Sequence, residues 1–578
     1  MAVENIEVAR IFDEVADLLE ITGANFYRVR AYRNAARVVR DLSTPLHTIA
    51  ADPDTKLEDL PGVGEDLSGK IQTILDTGDL PLRRDLEGQL PTGLLEVIRV
   101  AGVGPRKAHT LFLELGVSDL ESLGEAARQG KIQGLKGFGP KTEANILEGV
   151  FAIKGLGRRM LWSEAEAWAE KILEYMRGLP GLRRIEAAGS FRRLMETVGD
   201  LDILVTCDDP GAAMDRFVSY PDVTRVIARG PTKSSVVIGP ALQVDVRVVD
   251  DASFGAALQY FTGSKAHSVA LRGKAIRKGL KLNEYGVFRD DERIAGKTEE
   301  EVYAALDLPW IPPELRENRG EIRLALEGRL PVLVRLEDIR GDLHAHTDAT
   351  DGRDTMAAMV DAARRRGYSF VAITDHTRRV EGGLDQRRLL ERWAEVDRLD
   401  ESNPAIHVLR GAEVDILDDG ALDVDDEVLA KADLVIAAVH SNVDMPRPRM
   451  TRRIVRAVEN PLVHCLAHPT GRKINSKPPY QVNMDDVIVA AARSGTWLEL
   501  NCSPDRLDID DLDCASARQH GVKVSIASDA HHAGGLEFMR YGINQARRGG
   551  LEKSDVVNTM TFRSLKTALR RADSALKR

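Results

Sequence analysis

The run Gly189–Val205 reads GSFRRLMETVGDLDILV, a glycine-serine turn with two arginines followed by an apolar strand that carries Asp200 and Asp202. On a strand, residues i and i+2 share a face, so the two carboxylates project together while Leu201 and Ile203 turn the other way. Carboxylates this close raise one another's pKa unless cations share the site, which makes a divalent-metal pair the economical reading. Downstream, QVDVRV (243–248) alternates polar and apolar residues and places Asp245 on one face of a second half-buried strand. Three carboxylates from two strands can hold two metals. Such a pair bridges nucleotide phosphates, activates an attacking hydroxyl and stabilises the leaving oxygen of an in-line phosphoryl transfer. Gly189 and Ser190 let backbone amides approach a phosphate, and Arg192 and Arg193 supply charge-assisted donors. The competing reading is a surface strand with solvated acids; the turn before it and Asp245 after it weigh against that.

A second constellation lies toward the C-terminus. His344 and His346 share a face by i, i+2 spacing and are followed by Asp351, His376, Glu413, His440, His468, Asp529 and His531. These residues recur in phase with apolar strand candidates ending at IRGDLHAH, FVAITDH, VLRGAEVDI, LVIAAVH, LVHCLAH, TWLELNC and VKVSIASDAH, roughly 25 to 35 residues apart. Strands alternating with helical stretches form βα units, and seven units predict a barrel whose strand ends share one mouth. One histidine at a strand end is ordinarily a packed residue, but nine imidazoles and carboxylates in phase make a site. Mixed ligation of this kind suits zinc, manganese or iron and activates water against a phosphate ester. His464, His520 and His532 fall outside the pattern and read as structural, and Cys465 reads as core.

The N-terminal stretch positions something else. After an amphipathic helix with Ile11, Val15, Leu18 and Leu19 on one face comes FYRVRAYR (26–33), extended by Arg37 and Arg40. Arginines interleaved with aromatics suit a phosphate backbone with exposed bases, the alternative being a solvated helix face. Three G-x-G turns follow, at Gly62 and Gly64, Gly102 and Gly104, and Gly137 and Gly139, each leading into an apolar-periodic helix. Their amides would face a phosphate at the start of the second helix, contacting nucleic acid independently of sequence. Between 308 and 336, Pro309, Pro312, Pro313 and Pro331 mark an inter-domain connection too apolar to be a free linker.

At 578 residues the chain exceeds one ordinary core, and 43% hydrophobic with 29% charged residues describes a globular protein. No apolar run reaches membrane-spanning length, and MAVENIEVARIF lacks a basic run leading into an apolar one, so a cytoplasmic location without membrane contact is expected. Cys207, Cys465, Cys502 and Cys514 have no paired spacing, which excludes a disulfide framework or a zinc ribbon. The net charge of -10 does not exclude a nucleic-acid partner, because a backbone-tracking groove needs only a local basic surface.

GSFRR with GDLDILV, VDVRVV and YFTGS resembles the palm of family X, beta-type DNA polymerases, and the C-terminal pattern resembles the polymerase and histidinol phosphatase (PHP) family, with all nine ligand positions filled. The resemblance implies a multidomain α+β and α/β chain: helical helix-hairpin-helix N-terminal domains, a nucleotidyltransferase-type palm with an antiparallel or mixed sheet, a thumb-like α+β subdomain and a distorted (β/α)7 barrel. The boundaries expected are 1–88 and 89–153 for the two DNA-binding helical parts, 154–252 for the palm, 253–318 for the thumb-like part, 319–336 for the linker and 337–575 for the PHP domain. By the same resemblance Asp200, Asp202 and Asp245 bind magnesium or manganese, with Asp245 accepting the primer hydroxyl's proton. Gly189, Ser190 and Arg193 hold the triphosphate of a deoxynucleotide. Tyr260, Phe261 and Gly263 crowd its sugar and Arg272 reaches the template minor groove; Lys265, close to the same site, reads either as a phosphate contact or as an exposed lysine. The barrel would hold three zinc or manganese ions. Two departures stand out: Ser268 replaces an asparagine that contacts the incoming base, and Asp66 replaces a lysine near Lys70, the position of the family's lyase nucleophile. The expected activity is filling of short gaps in nicked or gapped DNA during base-excision repair by a monomer, with 3'-5' exonuclease and possible AP-endonuclease or 3'-phosphatase chemistry in the barrel. The rivals are a template-independent nucleotidyltransferase, a small-molecule phosphatase, and a DNA-binding protein with decayed sites.

Overall fold

The computed structural model describes residues 5–570 except 43–45, 52–54, 61, 89, 92, 99, 101–102, 141, 144, 147–149, 151–158 and 240. The chain divides into two compact units, Met1–Arg158 and Arg159–Arg578.

The first unit is helical. Ile11, Val15, Leu18 and Leu19 are buried, as their spacing predicts, and pack helix Asn5–Ile21 on helix Phe26–Asp41 through an edge-to-face Phe12–Tyr32 pair at 5.5 Å. The G-x-G turns divide their labour. Gly62 (φ +79°) and Gly137 (φ +90°) take a left-handed conformation that side chains resist. Gly64 and Gly104 are the extended N-caps of helices Glu65–Thr77 and Pro105–Leu115, so no side chain covers the first-turn amides. Gly139 directly precedes the next helical turn, and Gly102 lies outside the described residues.

The second unit begins with β1 (Met160–Leu161), which pairs β3 (Thr197–Val198). The palm sheet has five strands in the order β2-β4-β7-β6-β5: β2 (Leu182–Ala187), β4 (Asp200–Cys207), β5 (Val223–Arg229), β6 (Lys233–Ile238) and β7 (Leu242–Val248). Only β4 and β7 run parallel. Leu201, Ile203, Val205, Val244 and Val246 bury one face against Ile172 and Met176 of helix Trp162–Arg177 and Met214 and Phe217 of helix Pro210–Val218. The period of two then delivers Asp200, Asp202 and Asp245 to the opposite face.

The thumb-like part follows, with helices Phe254–Thr262, Lys265–Arg277 and Glu299–Ala305 around β8 (Lys281–Asn283), β9 (Gly286–Arg289) and β10 (Glu292–Ala295). It is tied to the palm through Glu299, which is 5% exposed. Glu299 accepts from both Arg192 Nη atoms at 2.8 Å, from Arg316 at 2.6 and 3.1 Å and from Trp310 Nε1 at 2.8 Å. Burial alone would raise this carboxyl, but Arg192 and Arg316 hold it at about 2. A depressed folded pKa adds stability above the ordinary glutamate range that fades as pH falls through that range toward 2. Glu299→Gln should therefore cost about 3 kcal/mol at pH 7. In urea titrations the gap from wild type should narrow steadily below pH 4.5, and a pH-independent gap would contradict the assignment.

Seven parallel strands make the barrel, in chain order: β11 (Gly341–Asp342), β12 (Phe370–Ile373), β13 (His407–Asp415), β14 (Leu434–Ala438), β15 (Cys465–Leu466), β16 (Trp497–Asn501) and β17 (Val524–Ala527). A parallel bridge from Ala345 to Ala530 brings the last unit back to the first. The strands are buried apart from the start of β13, where His407 is exposed and Arg410 half-buried, as a parallel sheet covered by helices requires. The connecting segment is packed: Val334 N donates to Leu551 O at 3.0 Å. The palm docks on the barrel through Arg540–Glu166 (2.8 Å), Arg472–Glu196 (2.7 Å) and the edge-to-face contact of Tyr541 with Trp162 at 6.1 Å, the Trp162 ring being stacked on Phe191 within the palm. No disulfide forms, and Cys465, Cys502 and Cys514 are buried core residues. Among the described residues no helix is long and apolar enough to cross a membrane.

Candidate active sites

In the palm, Asp202 and Asp245 occupy one register position on adjacent parallel strands, and Asp200 lies two residues back on the same face. The turn above them explains its glycine: Gly189 has φ +65°, and a Cβ there would lie 2.7 Å from Asp202 Oδ2. Ala188 N donates to Asp202 O at 2.8 Å, fixing turn to strand. Burial, then Asp200 and Asp245, push the Asp202 carboxyl up to about 7. The cluster therefore wants positive charge. Part of it comes from the protein, since Asp245 pairs with Lys233 Nζ and Gln243 Nε2, both at 3.0 Å. With Asp245 turned toward these partners, the three acids do not gather their oxygens as tightly as the barrel ligands do.

Around this face, Arg193 donates from Nε to Glu317 at 2.9 Å and from Nη1 to Thr262 O. Arg192, read from sequence as a second phosphate donor, is committed to Glu299 and Thr262, so its charge serves the palm–thumb contact instead. Tyr260 and Phe261 form an edge-to-face pair at 5.1 Å, with the Arg247 guanidinium 4.5 Å from the Phe261 ring. Gly263, with φ +68°, sits where a Cβ would meet Arg193 Nη1 at 3.2 Å. Lys265 is exposed at the start of its helix, and Arg272 donates to Ser268 O at 3.3 Å. Ser268 itself is buried with its hydroxyl unbonded.

In the barrel, all nine sequence-predicted residues meet at the C-terminal ends of the strands. His346, Asp351, His376 and His531 offer ligand atoms within 4.8 Å of one another, as do His344, His346 and Asp529, and His376, Glu413 and His440. His468 stands outside these three groups and bonds Glu413 at 2.8 Å. Glu413, 1% exposed, is the hub: its oxygens lie 2.8 Å from His376, 3.2 Å from His440, 3.4 Å from His344 and 3.5 Å from His346. His346, His440 and His468 each keep a buried Nδ1 that makes no hydrogen bond. His376 Nδ1 and Glu413 Oε2, though close, are not aligned for one. Orphaned buried atoms at this density are costly unless cations take them up, so the donor set fits metal ions. Electrostatics agree. Burial would lower His376 and His440, yet Glu413 and its neighbours lift them to about 10 and about 9, proton-holding positions that a cation would take. His468 and Asp529 also have positive φ, +28° and +51°, strain of the sort found at functional sites.

Sequence reasoning missed the layer behind these ligands. Glu499, fully buried on β16, lies 2.6 Å from His344 Nδ1. Asn501 donates to both Glu499 and Asp529 at 2.9 Å, and Asp415 lies 3.5 Å from His440 Nδ1. Such partners fix ring orientation and ligand basicity. The signal was a charged residue inside TWLELN, the one strand without a ligand of its own. His464, His520 and His532 bond backbone groups.

In the helical unit, Lys70 pairs with Asp66 and lies over the Tyr32 ring at 5.3 Å. Burial would lower its ammonium, but Asp66 and Tyr32 raise it overall, the wrong direction for a Schiff-base nucleophile. Borohydride trapping on a 5'-deoxyribose phosphate should give no adduct at Lys70, and a covalent adduct would contradict this.

Four family models match the chain: a helix-hairpin-helix domain over residues 3–80, a tandem helix-hairpin-helix over 94–150, the DNA polymerase beta thumb over 257–317 and the PHP domain over 342–473. A probable phosphatase of Syntrophotalea carbinolica is 30% identical over 239 residues, covering 39% of this chain and 93% of that protein. One of Thermoanaerobacter sp. (strain X514) is 28% identical over 229 residues, covering 38% and 89%. The DNA polymerase/3'-5' exonuclease PolX of Bacillus subtilis (strain 168) is 35% identical over 573 residues, spanning 98% of this chain and 99% of that protein. With that match running through both acid-bearing faces, the chain belongs to the bacterial PolX family, the family X DNA polymerases that carry a PHP domain.

Proposed function

We propose that this chain is a DNA-directed DNA polymerase that fills short gaps during base-excision repair and trims 3' ends with its PHP domain, both activities requiring divalent metal. The observation that carries the reading is the pairing of Asp202 with Asp245 at one register position, beneath a glycine turn, in a chain whose barrel separately gathers imidazoles around Glu413. The six-segment division assigned from sequence describes how the work is shared.

In the palm, Asp200, Asp202 and Asp245 would hold magnesium or manganese, which supplies charge neutralisation at the phosphates and lowers the pKa of the primer hydroxyl. Asp245 accepts the hydroxyl proton; Lys233 and Gln243 keep its carboxyl ionised and oriented. Gly189, Ser190 and Arg193 seat the triphosphate of the deoxynucleotide. Tyr260, Phe261 and Gly263 close on its sugar, Arg272 reaches the template minor groove, and Lys265 reaches out to phosphate. The glycine turns at Gly62, Gly64, Gly102, Gly104, Gly137 and Gly139 contact the DNA backbone. In the barrel, the nine ligands would hold zinc or manganese, up to three ions, while Glu499 and Asp415 keep His344 and His440 aimed. The enzyme acts as a cytoplasmic monomer.

The test uses a 5'-labelled primer in a short-gap duplex. Magnesium or manganese with deoxynucleotides should lengthen it to the gap size, manganese alone should shorten it, and a chelator should stop both. Equal extension of a single-stranded primer would favour a template-independent transferase.

A further inference from the structure

Behind the palm, a barrel side chain reaches the nucleotide-binding turn. Arg548, at the end of helix Met539–Arg548, is 6% exposed. Its Nη1 donates to the Arg193 carbonyl at 2.9 Å and to Glu317 Oε1 at 3.1 Å, and its Nη2 donates to Asp511 at 2.6 Å. The same Glu317 oxygen accepts from Arg193 Nε at 2.9 Å. One carboxylate oxygen is thus shared between a palm arginine and a barrel arginine.

The sharing has an electrostatic consequence. A carboxylate paired only with Arg193 would neutralise it and compete with an incoming phosphate. Arg548 is balanced in turn by Asp511, whose same oxygen also accepts from Arg319 Nη1 at 2.8 Å, so three guanidinium groups share two carboxylates. Glu317 therefore orients Arg193 while net positive charge remains beside the turn, in a half-buried setting where water screens little. Nη1 of Arg193 is fixed on Thr262 O, and no bond from Nη2 to the described residues occupies the end that a triphosphate would meet.

We propose that Arg548 is a positioning residue for nucleotide binding: the PHP barrel, by sharing Glu317, keeps Arg193 charged and oriented for the triphosphate. This rests on the reading of the palm as a polymerase site. It makes the barrel a working part of that site, independent of the barrel's own hydrolytic chemistry.

The test compares R548Q, E317Q, R548Q/E317Q and R547Q in single-nucleotide gap filling with dTTP, with 3'-end degradation measured on the same preparations. Arg547 is the control, because it also joins the barrel to the thumb, through Glu314, without touching Arg193 or Glu317. R548Q should raise KM for dTTP about tenfold with kcat within about twofold, since ground-state binding is what is lost. Removing the competing carboxylate as well should return KM in the double variant to within about threefold of wild type. R547Q should leave KM unchanged, and all four variants should degrade 3' ends as wild type does, which establishes that the barrel is folded. Wild-type KM in R548Q, a double variant no better than R548Q, or an equal rise in R547Q would overturn the proposal. A wild-type protein unable to incorporate dTTP would instead overturn the polymerase reading beneath it.

Discussion

Asp202→Asn should reduce nucleotide incorporation by at least about a thousandfold while leaving 3'-end degradation intact, because the change removes a negative charge from the face proposed to hold metal without altering side-chain shape. A second readout checks the cause. In the metal-free protein the Asp202 carboxyl is pushed up to about 7 by burial and by its acidic neighbours. A folded pKa above the unfolded one costs stability as pH rises through the ordinary carboxylate range, and the cost is complete above 7. In chelator, the asparagine variant should therefore melt above wild type at pH 8, with the difference shrinking toward pH 4. Retained incorporation would remove Asp202 from the site; a lower melting temperature at pH 8 would mean that its carboxylate stabilises the fold.

Glu413→Gln should have the mirror effect. Its carboxylate lies within 3.5 Å of His344, His346, His376, His440 and His468, and it is almost fully buried. An amide in its place leaves those imidazoles without their shared anion, so cation binding should collapse and degradation should fall by at least about a thousandfold. Gap filling should stay within about twofold of wild type, because no palm acid touches Glu413. Degradation that survived the substitution would place the hydrolytic centre elsewhere.

The contrast between the two sites shows how much was legible in the sequence. The palm face follows from a period of two over GDLDILV and VDVRV, and the barrel mouth from ligands in phase with apolar strands; both are local rules repeated. Arg192 went the other way, because its partner Glu299 is 107 residues distant and no local pattern announces it. Glu499, Asn501 and Asp415 escaped because a buried carboxylate or amide behind a ligand looks, in sequence, like any polar residue at a strand end. The docking of palm on barrel was equally silent: Glu166 and Arg540 are 374 positions apart, and each reads alone as a solvated charge. The same limit concealed Arg548.

The central claim is that carboxylates in the palm and imidazoles in the barrel hold divalent cations. Its most direct test is anomalous scattering at the manganese edge from crystals grown with manganese and a nonhydrolysable deoxynucleotide. The account predicts peaks beside Asp200, Asp202 and Asp245 and a separate cluster around Glu413, the first abolished by Asp202→Asn alone and the second by Glu413→Gln alone. Featureless density at both places in the wild-type protein would contradict it.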